Sequence, residues 1–154
     1  MNAGQRAGQR TERRTYVKAE PRVVWATLHD PAAQDVLYPE LTLGPAAPSW
    51  PAAGATRPAR LRFRLLRASV RVESLEVRPV SRFRTILVGD GIRLERAWGL
   101  EPGDGGGTRV VASLDLLASG RWTGLLIRLG RGSVGTMLEA NLRNLKEMAE
   151  SGGR

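Results

Sequence analysis

From Val134 to Glu150 the apolar residues recur with a helical period. Val134, Leu138, Asn141, Leu145, Met148 and Ala149 share one narrow face, flanked by Met137 and Leu142. Glu139, Arg143, Glu147 and Glu150 lie opposite, as in an amphipathic helix. Glu139–Arg143 and Lys146–Glu150 are opposite charges four apart, which adds about 0.2–0.5 kcal/mol per pair on the exposed side. Glycines at 130, 132 and 135 predict a bend where the chain runs into this helix. Upstream, the period shifts to two. Arg60–Leu65 alternates strictly, which places Leu61, Phe63 and Leu65 inside and three arginines in water. Val70 and Val72 continue the next strand, but Leu75 and Val77 fall on the opposite parity, so a bulge is expected near Glu73–Ser74.

The remaining punctuation completes the order of elements. Thr11–Lys18 reads as a first strand. Pro21 opens a short helix through Leu28, with Val24, Trp25 and Leu28 on one face. Asp30 and Pro31 suit the N-cap and first position of a second short helix, ending near Leu37. Tyr38-Pro39 closes it, Leu41–Leu43 forms a brief strand, and residues 44–59 form a Pro-, Gly- and Ala-rich loop. Pro79 ends the strand that carries the bulge. Phe83–Val88 and Ile92–Leu100 are strands joined by Gly89-Asp90-Gly91, and the Gly103–Gly107 turn leads into a last strand, Thr108–Leu117. A strand, two small helices, a meander of about six strands and a long final helix give an antiparallel sheet with its helices on one side, an α+β fold.

At 154 residues the chain makes one domain, expected over 11–151. Residues 1–10, with a doubled Ala-Gly-Gln-Arg unit, read as a disordered tail. The net charge is +9, and apart from Lys18 and Lys146 all basic residues are arginines, spread along the chain. That balance permits nucleic-acid or anionic-membrane partners; an Arg-, Ala-, Gly- and Pro-rich genome explains it equally well. The absence of cysteine excludes disulfides, thiolate catalysis and cysteine metal sites. No run approaches the ~20 apolar residues of a membrane span, and the start lacks an apolar signal core. A cytoplasmic protein without a membrane span is expected.

The order of elements, with Glu20-Pro-Arg-Val-Val-Trp25 followed by Leu28-His-Asp-Pro31, resembles the START-related, birch-pollen-allergen-like (SRPBCC) superfamily. Within it the polyketide cyclase/dehydrase and lipid-transport family is most similar. Gly107-Thr-Arg-Val110 opening the last strand and the closing Leu145–Glu150 segment, Leu-Lys-x-x-Ala-Glu, match its usual motifs. The resemblance covers roughly residues 11–151. It implies a helix-grip fold, in which a curved antiparallel sheet of six to seven strands grips the terminal helix over an apolar cavity. It also implies binding of lipids, polyketides or other hydrophobic molecules, which some members cyclise or dehydrate. Many relatives carry Trp after the Asp-Pro helix, where this chain has Leu37-Tyr38-Pro39, which leaves the shape of that wall open.

Arg96 carries the most information among the candidate chemical groups. It shares the parity of Ile92, Leu94, Trp98 and Leu100, so strict alternation turns a guanidinium inward, at a cost unless it is paired. Either it holds a ligand carboxylate, enolate or phosphate, or it pairs with a nearby glutamate, or a bulge turns it outward. Asn141 lies in the apolar stripe of the terminal helix and needs partners, from a ligand, the sheet backbone or water. Tyr38 suits either the cavity wall or a ligand donor. Trp98 and Trp25 read mainly as packing, and Trp50 either covers the cavity or anchors its loop. His29, the single histidine, is expected in an exposed or capping role. It rules out multi-His metal sites, and with Ser113 and Asp115 on the outward parity no Ser-His-Asp set converges. No two carboxylates share an apolar face, which argues against glycosidase-type chemistry. Gly130-Arg-Gly-Ser-Val-Gly135 is a literal GxGxxG, but only one helix follows it, with no second parallel strand, so a dinucleotide site is not expected.

The expected function is binding of a small hydrophobic molecule between sheet and terminal helix. Leu61, Phe63, Leu65, Trp98, Met137 and Leu145 would form the wall, with Arg96, Asn141 and Tyr38 as polar contacts. An alternative is a cyclase/dehydratase in which Arg96 stabilises an enolate and Tyr38 moves a proton. A further alternative is an interaction protein using a basic sheet exterior around Arg60, Arg62, Arg64, Arg67 and Arg71. No cofactor, metal or specific nucleic acid is expected, and the chain would be a monomer or homodimer.

Overall fold

The computed structural model of the chain describes residues 10–152. Strand β1 (Arg10–Val17) is followed by helix α1 (Pro21–Leu28), then by a 3₁₀ turn (Pro31–Ala33) that runs into α2 (Gln34–Leu37). Strands β2 (Leu41–Leu43), β3 (Thr56–Phe63), β4 (Leu66–Arg78), β5 (Arg82–Gly89), β6 (Ile92–Pro102) and β7 (Thr108–Ala118) precede α3 (Thr123–Gly152). All seven strands form one sheet in the order β1-β7-β6-β5-β4-β3-β2, and every pairing is antiparallel. The expected α+β helix-grip architecture is therefore present. Of the tail expected over 1–10, residues 1–9 lie outside the described residues; Arg10 belongs to β1, opposite Asp115.

Local signals explain most boundaries. Pro21 stands at the start of α1, and the Asp30 carboxylate accepts the Ala32 N–H at 3.0 Å, capping the next turn. The β4–β5 register shifts between Ser74 and Glu76, one residue beyond the expected bulge, which reverses the parity of Leu75 and Val77. The expected loop over 44–59 is shorter, because Thr56–Ala59 belong to β3. Pro58 is tolerated there because its carbonyl points to Gly44, so its missing N–H faces the side where β2 has already ended.

One inward assignment is wrong. Leu65, expected inside, is 76% exposed. Phe63 pairs directly with Leu66, so Arg64, at φ 58°, and Leu65 form a two-residue turn, and Leu66 takes the inward place. The alternation ran on through a turn that holds none of the Gly, Asn or Asp residues that usually mark one.

Helix α3 breaks at Gly130, whose φ of 74° and ψ of 168° interrupt the helical backbone, and the expected bend is found there. Beyond it Leu138, Asn141, Leu142, Leu145 and Ala149 are buried against the sheet and the small helices. Across the helix, Arg13 of β1 pairs with Glu139 at 3.0 Å, so Glu139 is used between elements rather than with Arg143. Gly135 makes this possible: a Cβ there would stand 2.1 Å from the Arg13 guanidinium. The expected Lys146–Glu150 pair forms at 2.7 Å, and Lys146 also donates to the Tyr16 carbonyl at 2.7 Å. Among the described residues no helix is long and apolar enough to cross a membrane.

Candidate functional site

Strand β6 alternates as its sequence requires. Ile92, Leu94, Arg96, Trp98 and Leu100 are all buried on the inner face, so no bulge turns Arg96 outward. Its charge is met by Glu40, whose Oε2 accepts from Arg96 Nη2 at 2.7 Å, with both side chains 4% exposed. The other Glu40 oxygen accepts from Asn141 Nδ2 at 3.1 Å, and that amide also donates to the Leu37 carbonyl at 3.0 Å. The Tyr38 ring lies 4.6 Å from the Arg96 guanidinium, and its hydroxyl accepts from Trp98 Nε1 at 2.9 Å. The turn after α2 therefore inserts two side chains, Tyr38 and Glu40, between the sheet and α3.

Electrostatics fix the protonation of this cluster. Burial alone would weaken the charge of Arg96, but the Glu40 carboxylate beside it, with Tyr38, holds its pKa above the ordinary value. Burial pushes the Tyr38 phenol up, and the charge of Glu40 adds to that, against the pull of Arg96. Tyr38 therefore holds its proton more tightly than an ordinary phenol. Arg96 Nε and Nη1 and Asn141 Oδ1 have no partner among the described residues.

Two cavities stand out, and no residue lines both; only the second touches the cluster, through Tyr38 and Arg96. An apolar one of about 310 Å³ is walled by Leu61, Phe63, Leu66, Leu94, Leu114 and Met137, with Gly130 and Ile127 at the start of α3. A second, of about 370 Å³, is bounded by Tyr38, Arg96, Thr85, Arg57, His29 and Trp50. Its lining includes two arginines and no carboxylate. The single cavity expected from the sequence is thus divided. Leu61, Phe63 and Met137 line one chamber and Tyr38 and Arg96 the other. Trp98, Asn141 and Leu145 are buried between elements and line neither, and Leu65 sits on the surface.

His29 takes the capping role of the two expected for it: its backbone N–H caps α1. Its ring is packed edge-on between Trp25 and Phe83, at 4.5 and 4.6 Å. Burial lowers its pKa to about 4, so the ring is a neutral wall of the second chamber. Trp50 both anchors and covers: it lines that chamber, packs on Phe83 at 6.2 Å and lies under Arg57 at 5.3 Å. Sequence reasoning missed Glu40, Leu66, Thr85 and Arg57. Thr85 was detectable from its parity with Phe83 and Leu87, and Glu40 as the one carboxylate in the apolar stretch Val36–Leu43. Among the described residues no three His, Cys, Asp or Glu side chains gather to hold a metal ion.

The family model described as polyketide cyclase/dehydrase and lipid transport matches residues 8–150. The chain belongs to this family. No curated protein matches it in sequence. Solved structures share the family's fold. TTHA0849 from Thermus thermophilus is 21% identical, with a TM-score of 0.73 over 94% of this chain and 99% of that one. The ZhuI aromatase/cyclase from a Streptomyces species is 14% identical, with a TM-score of 0.68 over 94% and 95% of the two chains. Ara h 8.0201 is 10% identical, with a TM-score of 0.67 over 92% and 97%. Membership indicates a ligand-binding or cyclase-type function.

Proposed function

We propose that the protein binds a small hydrophobic molecule, lipid- or polyketide-like, in the apolar chamber between the sheet and α3. The observation that carries this reading is a space of about 310 Å³ whose walls are mainly aliphatic and aromatic, with hydroxyls from Thr11, Ser119 and Thr123. That volume suits a small ligand, and burying apolar ligand surface there contributes roughly 25 cal/mol per Å² before the costs of association. Native mass spectrometry of the purified protein tests it directly. The expected result is a co-purified apolar molecule, or uptake of an added fatty acid at one equivalent. Failure to retain either would sink the proposal.

A second reading, a cyclase/dehydratase, is favoured by one observation: Arg96 and Tyr38 converge on the same chamber. A guanidinium at the wall could stabilise a developing enolate, and Tyr38 could move a proton there. The fold shared with an aromatase/cyclase supports it at the level of architecture alone.

A further inference from the structure

The arginines are not distributed evenly with respect to the carboxylates. Arg10, Arg13, Arg14, Arg22, Arg78, Arg82, Arg84 and Arg109 each have an acidic partner. Other arginines, Arg57, Arg60, Arg71, Arg93, Arg121 and Arg143 among them, have no carboxylate within 4.0 Å among the described residues. Arg62, Arg64, Arg67 and Arg128 belong to this unpaired set and adjoin residues that line the apolar chamber. Arg62 and Arg67 stand directly opposite one another on β3 and β4, a like-charge arrangement that destabilises a sheet. Neither they nor Arg64 and Arg128 have a carboxylate within 4.0 Å among the described residues, and all four are exposed. The nearby Asp90 is occupied in accepting the Ser69 N–H at 3.0 Å. Two large apolar side chains stand out into solvent among these charges: Leu65, 76% exposed, and Ile127, 74% exposed. Each is beside the chamber, since Ile127 lines it and Leu65 adjoins Leu66, which also does.

We propose that this rim docks on anionic lipid bilayers. Leu65 and Ile127 would enter the boundary between headgroups and acyl chains, with Arg62, Arg64, Arg67 and Arg128 lying among the headgroups. Protruding aliphatic side chains ringed by unpaired arginines complement a negatively charged interface. A polyanion such as nucleic acid would use the arginines and leave Leu65 and Ile127 in water. Docking does not require the apolar chamber to hold the ligand. It rests on that reading only for its consequence, that a lipidic molecule would pass between bilayer and chamber without crossing water.

Co-sedimentation of the full chain with phosphatidylcholine vesicles, with and without ~30% phosphatidylglycerol, tests the proposal. Binding is expected at least tenfold stronger to the anionic vesicles and weakened by raised salt. Leu65→Glu/Ile127→Glu and Arg62→Gln/Arg67→Gln are expected to reduce it about tenfold each. All four side chains are exposed, so circular dichroism should be unchanged. Leu65→Glu alone and Arg62→Gln/Arg67→Gln spare the chamber lining and should also leave ligand retention by native mass spectrometry unchanged. Docking by the parent chain with no ligand retained would fault the ligand reading alone. No binding to anionic vesicles would overturn the docking proposal. So would equal binding to neutral ones, or binding that Leu65→Glu/Ile127→Glu leaves intact while duplex DNA competes.

Discussion

Arg96 shows what a single residue can demand of a fold. Its inward direction was legible from strict alternation along β6, but its partner was not, because Glu40 lies 56 residues away in sequence and follows a turn that periodicity does not describe. The pair also makes a stability prediction. Arg96→Met leaves the Glu40 carboxylate buried and uncompensated, which should cost about 3–5 kcal/mol. Arg96→Met/Glu40→Leu removes both charges, and Asn141 keeps its bond to the Leu37 carbonyl. The double variant should recover to within about 1 kcal/mol of the parent in urea unfolding. If it is as unstable as the single variant, the ion pair itself is structural. Recovery would instead leave Arg96 to be explained by what occupies its chamber. His29 offers a pH test at the same scale. Its folded-state pKa is lowered from 6.5 to about 4 by burial, so the unfolded chain takes up a proton first as pH falls. The associated stability is complete above pH 6.5 and is lost between 6.5 and 4. The ring is partly exposed, so solvent screening discounts the loss to on the order of 1–2 kcal/mol. His29→Phe should remove that part of the acid sensitivity; an unchanged pH profile would show that the ring does not titrate as described.

Among the elements, legibility followed from how local the determinants are. The terminal helix, the capped turn at Asp30 and the β5–β6 hairpin are fixed by spacing and turn chemistry within a few residues, and they stand as expected. The bulge was visible as a change of parity and fell within one residue of its expected place. The failures share a cause. Leu65 lost its inward place because strand pairing, not alternation, decides where a hairpin turns, and a turn through Arg64 at positive φ carries no compositional mark. Strand β3 began earlier than expected because Pro58 reads as a loop residue until the short reach of β2 is known. The division of the interior was illegible for the same reason: it depends on Tyr38 and Glu40 meeting β6 and α3, and no local pattern encodes that meeting.

For the whole molecule, the consequence is that one shell encloses two chemically different compartments. The cluster of Tyr38, Glu40, Arg96, Trp98 and Asn141 is held by buried hydrogen bonds from β6, α3 and the turn after α2. The two chambers share no lining residue, so occupancy of each can be tested separately. Met137→Trp extends a ring into the apolar chamber from the first full turns of α3, and Thr85→Leu adds aliphatic bulk beside Arg96. Overpacking costs each variant about 1–3 kcal/mol, which melting temperatures will register separately from occupancy. With the ligand in the apolar chamber, Met137→Trp should lower its occupancy in native mass spectra at least tenfold, while Thr85→Leu leaves it within twofold. The reverse pattern would place the ligand in the chamber bounded by Arg96 and Tyr38. That outcome would make the cyclase/dehydratase reading the better account, because the ligand would then lie in the compartment that holds both residues.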